Sequence, residues 1–288
     1  MSSISFTKSI LAGIRPKTLI AAFVPPMVAY FIAIKGSEVP NFWWPLLCIL
    51  SAIFIQISTN FFNDAIDFEK GADHQRIGPK RITNETNFPP SLVKKIGFLS
   101  LLIALLLGIP LILRGGTPIL IFGALSLYLS YGYTGGPYPL AYKGLGELFV
   151  FLFFGLFAVL GSFYIYTLTI NSSIFFQACT FGFLSTTLIG INNLRDRETD
   201  ILVEKRTLAT LVPRRYYQIF LLAIMALPYV TYKLSGLSFS WPIYISVAIS
   251  LALGHLVWRF PPEKLNPGLM LSGLQMLSFL SMIYYGQM

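Results

Sequence analysis

The chain has 288 residues, of which 55% are hydrophobic and only 11% are charged. Soluble domains carry about 25% charged residues, so this composition argues against a water-soluble fold and makes a lipid bilayer the expected solvent. The net charge of +9 does not indicate nucleic-acid binding, because the bases stand in short clusters between apolar stretches and no nucleic-acid-binding motif accompanies them.

Nine apolar stretches follow one another along the chain, each near the roughly 20 residues that a membrane-spanning helix needs. We predict such helices at residues 17–34, 44–62, 95–113, 117–134, 145–166, 174–192, 216–232, 240–258 and 267–286. Only a turn signal at residues 114–118, which contains Gly and Pro, separates the third stretch from the fourth. The predicted fold is an all-α integral membrane protein with nine transmembrane helices in a single domain over residues 1–288.

The Lys and Arg residues fall mainly on one side of this topology. With the N-terminus inside, all of them lie in inner segments except Lys35, Arg114 and Lys233. Because membrane proteins keep their positive loops in the cytoplasm, we predict a cytoplasmic N-terminus and an external C-terminus. The expected location is the bacterial inner membrane, and the charged face would then meet the cytoplasm.

Two acidic clusters follow the second and sixth stretches on this inner face. Each has an Asn four residues before an Asp; the clusters contain Asn63, Asp64, Asp67 and Asp73, and Asn192, Asn193, Asp196 and Asp200. If the helix continues, residues four apart share one face, where like charges repel unless something compensates them. Magnesium binds carboxylate oxygens and is completed by substrate phosphates. We therefore predict Mg²⁺ at both clusters, with a solvated helix end as the alternative for either one.

Basic residues trail each cluster. Arg76, Lys80 and Arg81 follow the first cluster, and Lys205 and Arg206 follow the second. Such side chains beside a metal-bound diphosphate would neutralise the charge that develops on a leaving group. Plain membrane topology, which also places bases on this face, is the competing explanation.

Six short segments accompany the acidic clusters and make the sequence recognisable: residues 15–18, 76–81, 133–140, 144–147, 192–196 and 205–208. With the paired acidic clusters, they resemble the UbiA superfamily of membrane prenyltransferases, and most closely its 1,4-dihydroxy-2-naphthoate polyprenyltransferase branch. The resemblance spans nearly the whole chain. One position departs from the commoner first motif, because Gly71 stands where that motif has its last Asp and the next acid is Asp73.

The resemblance implies a helical bundle around a central cavity and Mg²⁺-dependent transfer of a polyprenyl group from an allylic polyprenyl diphosphate to an aromatic small-molecule acceptor. In the naphthoate branch the transfer proceeds with loss of carbon dioxide and gives demethylmenaquinone. The expected metal ligands are Asp64, Asp67, Asp73, Asp196 and Asp200. The expected catalytic residues are Asp67, Asp196, Lys205, Arg206, Tyr133 and Lys143. The expected substrate-binding residues are Arg15, Lys17, Asn63, Arg76, Lys80, Arg81, Tyr138, Asn192, Asn193 and Arg195.

Three alternatives stay open at this point. The same fold with another acceptor, such as 4-hydroxybenzoate, homogentisate, a chlorin or a haem, would change only the subfamily. A membrane transporter would also place polar groups at membrane depth. Here the acids lie at the ends of the apolar stretches on one face, which argues against a path through the membrane. An alcohol phosphotransferase would gather its Asp residues in a single motif, whereas this chain has two separated ones.

Overall fold

The structure is a computed structural model that describes residues 3–36, 41–71, 81–85 and 88–286. All regular structure in these ranges is helical, which confirms the all-α prediction. The principal helices are α1 (Ser3–Ile14), α2 (Pro16–Lys35), α3 (Trp43–Glu69), α4 (Ile82–Glu85), α5 (Pro90–Gly132), α6 (Gly146–Val150), α7 (Gly161–Thr167), α8 (Ser172–Leu202), α9 (Leu208–Leu211), α10 (Arg214–Leu234), α11 (Ile243–Arg259) and α12 (Asn266–Tyr285).

Seven helical stretches in the described part of the chain are long and apolar enough to cross a membrane. The third and fourth predicted spans fall in one of them, because α5 runs through 43 residues. Gly116 has φ 65° and ψ −150° there, so α5 is two helices joined at a kink rather than two helices separated by a loop. The eighth predicted span corresponds to α11, which at 17 residues is shorter than the others.

Helix α6 continues through a π-helical segment, Phe151–Leu160, into α7. This segment lies very close to α8: a Cβ added to Gly155 would stand 2.4 Å from Cα of Gly182. Small residues permit such close approach between membrane helices. Segments of π-helix are frequent at functional sites, and this one forms part of a cavity wall.

Apolar side chains face both inward and outward. Val24, Phe181 and Phe279 are buried in the main core, whereas Leu113 and Leu251 are 82% and 70% exposed. Large exposed apolar side chains are the expected outer surface of a protein whose solvent is lipid. The fold therefore supports an integral membrane protein.

Helices α3 and α8 both extend beyond the apolar stretches that predicted them. Helix α3 runs to Glu69 and α8 runs to Leu202, so both acidic clusters are helical in the described residues. The Asp side chains consequently sit on the last turns of long helices, where the bundle holds their positions.

Candidate active site

A cavity of about 420 Å³ runs along the inside of the bundle. It follows α3 from Cys48 to Asp67, which is about 28 Å at the helical rise of 1.5 Å per residue. Its polar end is lined by Arg15, Asn63, Asp67, Arg81, Tyr133, Glu147, Asn192, Asn193 and Lys205. The remaining wall is mainly apolar and includes Leu105, Leu111, Ile112, Ile119, Phe153 and Phe157. The cavity therefore suits an amphiphile with a charged head and a long apolar tail.

Two arginines hold the carboxylates of the first cluster. Arg81 donates to Asp64 and, through Nη2 at 3.1 Å, to Oδ2 of Asp67. Arg15 also donates to Asp64. Buried ions are tolerated only with such partners, and Arg81, Asp64 and Asp67 are each no more than 5% exposed.

Arg15 reaches Asp64 from an unusual backbone conformation. It is the N-cap residue of α2 and has φ 54° and ψ 69°, in the left-handed region. The next residue is Pro16, whose ring disfavours the right-handed helical conformation in the residue before it. The break between α1 and α2 thus falls at Arg15, and its guanidinium lies against α3.

Lys205 connects the two acidic clusters. Its Nζ lies 3.7 Å from Oδ2 of Asp67 and 3.7 Å from Oδ1 of Asp200. The backbone N–H of Lys205 donates to the carbonyl of Asp200 at 2.9 Å, and Glu204 adopts φ 53° in the turn between them. The end of α8 therefore folds back on itself and directs the ammonium between carboxylates of α3 and α8.

Arg195 organises the second cluster from inside the protein. Its Nε and Nη2 each donate to the carboxylate of Asp196 at 2.7 Å, and Nη2 also donates to Oδ1 of Asn192 at 2.7 Å. Its Nη1 donates to Oδ1 of Asn266 on α12 at 3.0 Å. Arg195 is only 1% exposed and does not line the cavity. This geometry favours a role in holding Asp196 and Asn192 rather than direct substrate contact.

Several polar contacts at this end were not predicted. Tyr142 donates its hydroxyl to Oδ1 of Asp67 at 2.8 Å, and Thr134 donates to Oδ1 of Asn63. Lys70 donates to the carbonyl of Thr134 at 3.0 Å, and its ammonium lies 3.8 Å from the centre of the Tyr142 ring. Residues 133–140 belong to the segments that carry the family resemblance, but no pattern in the sequence indicates these individual contacts.

The ammonium of Lys70 has a lowered pKa, although much of the side chain is exposed. Desolvation is the main cause, the charge of Lys205 adds to it, and the Asp67 carboxylate opposes both. No carboxylate in the described part of the chain pairs directly with this ammonium, and a cation that loses water without such a partner loses part of its preference for the protonated form. The contacts of Lys70 with Thr134 and Tyr142 place this ammonium near the polar end of the cavity.

Glu147 and its hydrogen-bond partners form a buried polar group on the cavity wall, separate from the two acidic clusters. Its Oε1 accepts from Nδ2 of Asn193 at 2.9 Å and from the hydroxyl of Tyr217 at 2.5 Å. The residue is 4% exposed, and no residue in the described ranges donates a hydrogen bond to its Oε2. Asn193, which was predicted to bind substrate, therefore also fixes this carboxylate.

Some predicted site residues lie elsewhere. The side chains of Lys17, Tyr138, Lys143 and Arg206 are exposed, and none lines the cavity. The ammonium of Lys143 lies 5.3 Å from the Tyr138 ring centre, and the backbones of Lys143 and Arg206 form a parallel bridge. Their proposed roles stay predictions, as do those of Asp73, Arg76 and Lys80, which lie outside the described residues.

The oxygen donors at the polar end fit a hard cation. Carboxylates of Asp67 and Asp200 approach one ammonium from two helices, and the amides of Asn63 and Asn192 line the same space. Such all-oxygen donors suit Mg²⁺. Within the described ranges, no three His, Cys, Asp or Glu side chains form a group close enough to hold a metal by themselves, since Arg and Lys side chains lie between the acids. The set therefore fits Mg²⁺ that is completed by phosphate oxygens.

Comparison with known proteins adds independent information. A family model described as "UbiA prenyltransferase family" matches residues 22–269. A Mycobacterium tuberculosis protein named 1,4-dihydroxy-2-naphthoate octaprenyltransferase is 33% identical, over 84% of this chain and 83% of its own. A Haemophilus influenzae protein of the same name is 32% identical, over 94% and 92%.

Solved structures give the same fold. A UbiA homologue from Archaeoglobus fulgidus, bound to GPP and Mg²⁺, superposes with a TM-score of 0.68 at 16% identity, over 96% of this chain and 99% of its own. A UbiA homologue from Aeropyrum pernix superposes with a TM-score of 0.68 at 13% identity, over 92% and 96%. At these identities the likeness establishes the architecture alone.

Proposed function

The chain belongs to the UbiA prenyltransferase family, as its sequence predicted, and we propose that it transfers a polyprenyl group from an allylic polyprenyl diphosphate to 1,4-dihydroxy-2-naphthoate with loss of carbon dioxide. The product is demethylmenaquinone in its reduced, hydroquinone form. The observation that carries the proposal is the meeting of Asp67 and Lys205 at one end of a long, mainly apolar cavity, with the Asp200 carboxylate 3.7 Å from the same ammonium. A diphosphate fits the charged end and an isoprenoid tail fits the rest. The naphthoate acceptor is supported by the relatives that share about a third of the sequence.

The polar end would bind the diphosphate. Arg15, Arg81 and Lys205 line it and supply positive charge where negative charge develops as the C1–O bond of the donor breaks. Asp64, Asp67 and Asp73 with Asn63, and Asp196 and Asp200 with Asn192, would hold Mg²⁺. When bound, Mg²⁺ would neutralise charge on the phosphate oxygens as a Lewis acid.

The apolar wall would protect the allylic cation. Phe153 and Phe157 line the cavity, with ring centres 4.7 Å apart, and Phe149 stacks on Phe153 at 5.9 Å. Aromatic faces stabilise cations, and a wall with few polar groups keeps water from the intermediate. The electron-rich ring carbon that bears the carboxylate would then attack C1 of the isoprenoid. Loss of carbon dioxide restores the aromatic ring.

The membrane topology follows the same proposal. We place nine spans in the bilayer by counting the two halves of α5 separately and by including α11, with the N-terminus and the acidic clusters on the cytoplasmic side of the bacterial inner membrane. The support is the concentration of Lys and Arg in one set of segments. Residues 1–288 would form a single prenyltransferase domain.

A transfer assay tests the proposal. Purified protein in lipid is given a short allylic diphosphate and 1,4-dihydroxy-2-naphthoate, with Mg²⁺ or with EDTA. We expect a decarboxylated prenyl product only with Mg²⁺. Product with 4-hydroxybenzoate or homogentisate instead would reassign the acceptor. If folded protein binds the donor but forms no product with any acceptor, prenyl transfer is refuted, and a membrane transporter becomes the hypothesis to test.

A further inference from the structure

A buried carboxylate on the cavity wall has no part in the mechanism so far. Glu147 opens α6 and borders the cavity together with Tyr133, Asn192 and Lys205. It therefore lies beside the space in which the diphosphate and the aromatic ring would meet. A buried carboxylate costs free energy unless it is paired or hydrogen-bonded, and Glu147 has no Arg or Lys partner among the described residues.

The hydrogen bonds of Glu147 distinguish its two oxygens. Both Asn193 and Tyr217 donate to Oε1, so both acceptor positions of that oxygen are filled. Oε2 is buried and receives no hydrogen bond from any residue in the described part of the chain. A buried acceptor that has no donor is destabilising, and a hydroxyl group that enters from the cavity and donates to Oε2 would remove this destabilisation.

The surrounding helices fix the carboxylate but leave this oxygen available. Asn193 belongs to α8 and Tyr217 to α10, and Tyr217 is fully buried, so the Oε1 side is held from two directions. Because Glu147 itself lines the cavity, Oε2 is the oxygen of this carboxylate that remains for a hydroxyl group bound there. Gly146 lets the hydroxyl of Tyr133 lie against the adjoining wall, because a Cβ there would stand 2.9 Å from that hydroxyl.

We propose that Oε2 of Glu147 accepts the proton of the acceptor hydroxyl next to the carbon that is prenylated; this inference rests on the proposed function. As the ring carbon bonds to C1 of the isoprenoid, the C1–O bond breaks and its electron pair leaves with the diphosphate. The hydroxyl proton moves to Glu147 and the O–H electrons form a carbonyl. The product is a β-keto carboxylate, which loses carbon dioxide. The electrons of the broken C–C bond return to the ring, and the carbonyl oxygen recovers the proton from Glu147.

The experiment compares Glu147→Gln with Tyr217→Phe. Glu147→Gln keeps the size of the side chain but cannot take the proton, and general base catalysis typically contributes about 10²–10⁴-fold. We expect kcat to fall at least 100-fold, within that range, while the KM for the donor stays within about threefold. Tyr217→Phe removes one hydrogen bond to Oε1 and leaves Oε2 intact, so its loss should stay below about tenfold, in line with one hydrogen bond.

A methylated acceptor supplies the second test. An acceptor whose hydroxyl next to the reacting carbon is a methyl ether has no proton to give, so wild-type protein and Glu147→Gln should prenylate it at the same low rate. If Glu147→Gln does not fold, the wild-type protein alone decides: undiminished kcat with the ether overturns the proposal, and a loss of about 100-fold supports it.

Other results separate this inference from the proposed function. Glu147→Gln with kcat within about threefold of wild type, or Tyr217→Phe as damaging as Glu147→Gln, overturns the role of Glu147 and leaves prenyl transfer standing. Wild-type protein that forms no prenylated naphthoate overturns both.

Discussion

Replacing Asp67 by Asn tests the centre of the proposed site. The carboxylate accepts from Tyr142 at 2.8 Å and from Arg81 at 3.1 Å and lies 3.7 Å from Lys205. Asn is nearly the same size, so the change removes charge rather than volume. It leaves Arg81 and Lys205 with one counter-charge fewer in a place where the Asp67 side chain is only 4% exposed.

The expected magnitude follows from these contacts. A hydrogen bond to a charged group contributes about 1.5–3 kcal/mol, and breaking a buried ion pair costs about 3–5 kcal/mol. Arg81 keeps Asp64 as a partner, so the loss of folding free energy should be near the lower values, about 2 kcal/mol. Activity should fall much further, by about 10²–10³-fold, because the change removes a proposed Mg²⁺ ligand. More Mg²⁺ should be needed for half-maximal transfer.

The assay measures transfer and thermal unfolding on the same preparations, across a titration of Mg²⁺. Glu69→Gln is the matched control, since it removes one carboxylate two residues away on α3. Glu69 is 43% exposed and pairs with Lys94 at 2.7 Å, a surface pair that contributes about 0–1 kcal/mol. The control should keep wild-type transfer. A folded Asp67→Asn protein with wild-type rate and unchanged Mg²⁺ dependence would refute the assignment of Asp67 to the metal.

Two further changes test other parts of the structure. Gly155→Ala should lower the unfolding temperature and reduce the free energy of unfolding by about 1–3 kcal/mol, because the new Cβ would stand 2.4 Å from Cα of Gly182. Gly161→Ala is the control, since a Cβ there would meet nothing within 4 Å. Equal stability of the two variants would contradict the close contact between the helices. Lys205→Met keeps the length of the side chain and removes the ammonium between the two clusters, so donor KM should rise and transfer should fall about 10²-fold. Lys264→Met is its control, because Lys264 is exposed at the end of a short 3₁₀ helix and does not line the cavity. Equal kinetics of the two variants would exclude Lys205 from diphosphate binding.

The sequence predicted the features that depend on local composition. Apolar stretches marked the positions of the long helices, because each helix must satisfy its own backbone and present apolar side chains to lipid. The spacing from Asn192 to Asp196 and Asp200 placed these residues on one helical face, and α8 does continue through them. The meeting of the two clusters followed from their positions at the same end of the bundle.

The contacts within the site depend on packing that composition does not encode. Tyr142 and Asp67 are 75 positions apart, and nothing local relates them. Lys205 and Arg206 are equally basic neighbours, but the turn at Glu204 directs the first toward Asp200 and leaves the second exposed. The π-helical segment has no hydropathy signature, because it is as apolar as an α-helix at the same place.

The left-handed conformation of Arg15 limits which residues evolution or design can place at that position. The left-handed backbone conformation costs a residue with a Cβ roughly 1–2 kcal/mol and costs Gly almost nothing. Gly, however, has no side chain to pair with Asp64. Any other residue except Lys would keep the strain and also lose the ion pair with Asp64. Mutational tolerance at position 15 should therefore be low, and Gly should be the least harmful replacement for folding although it is the smallest.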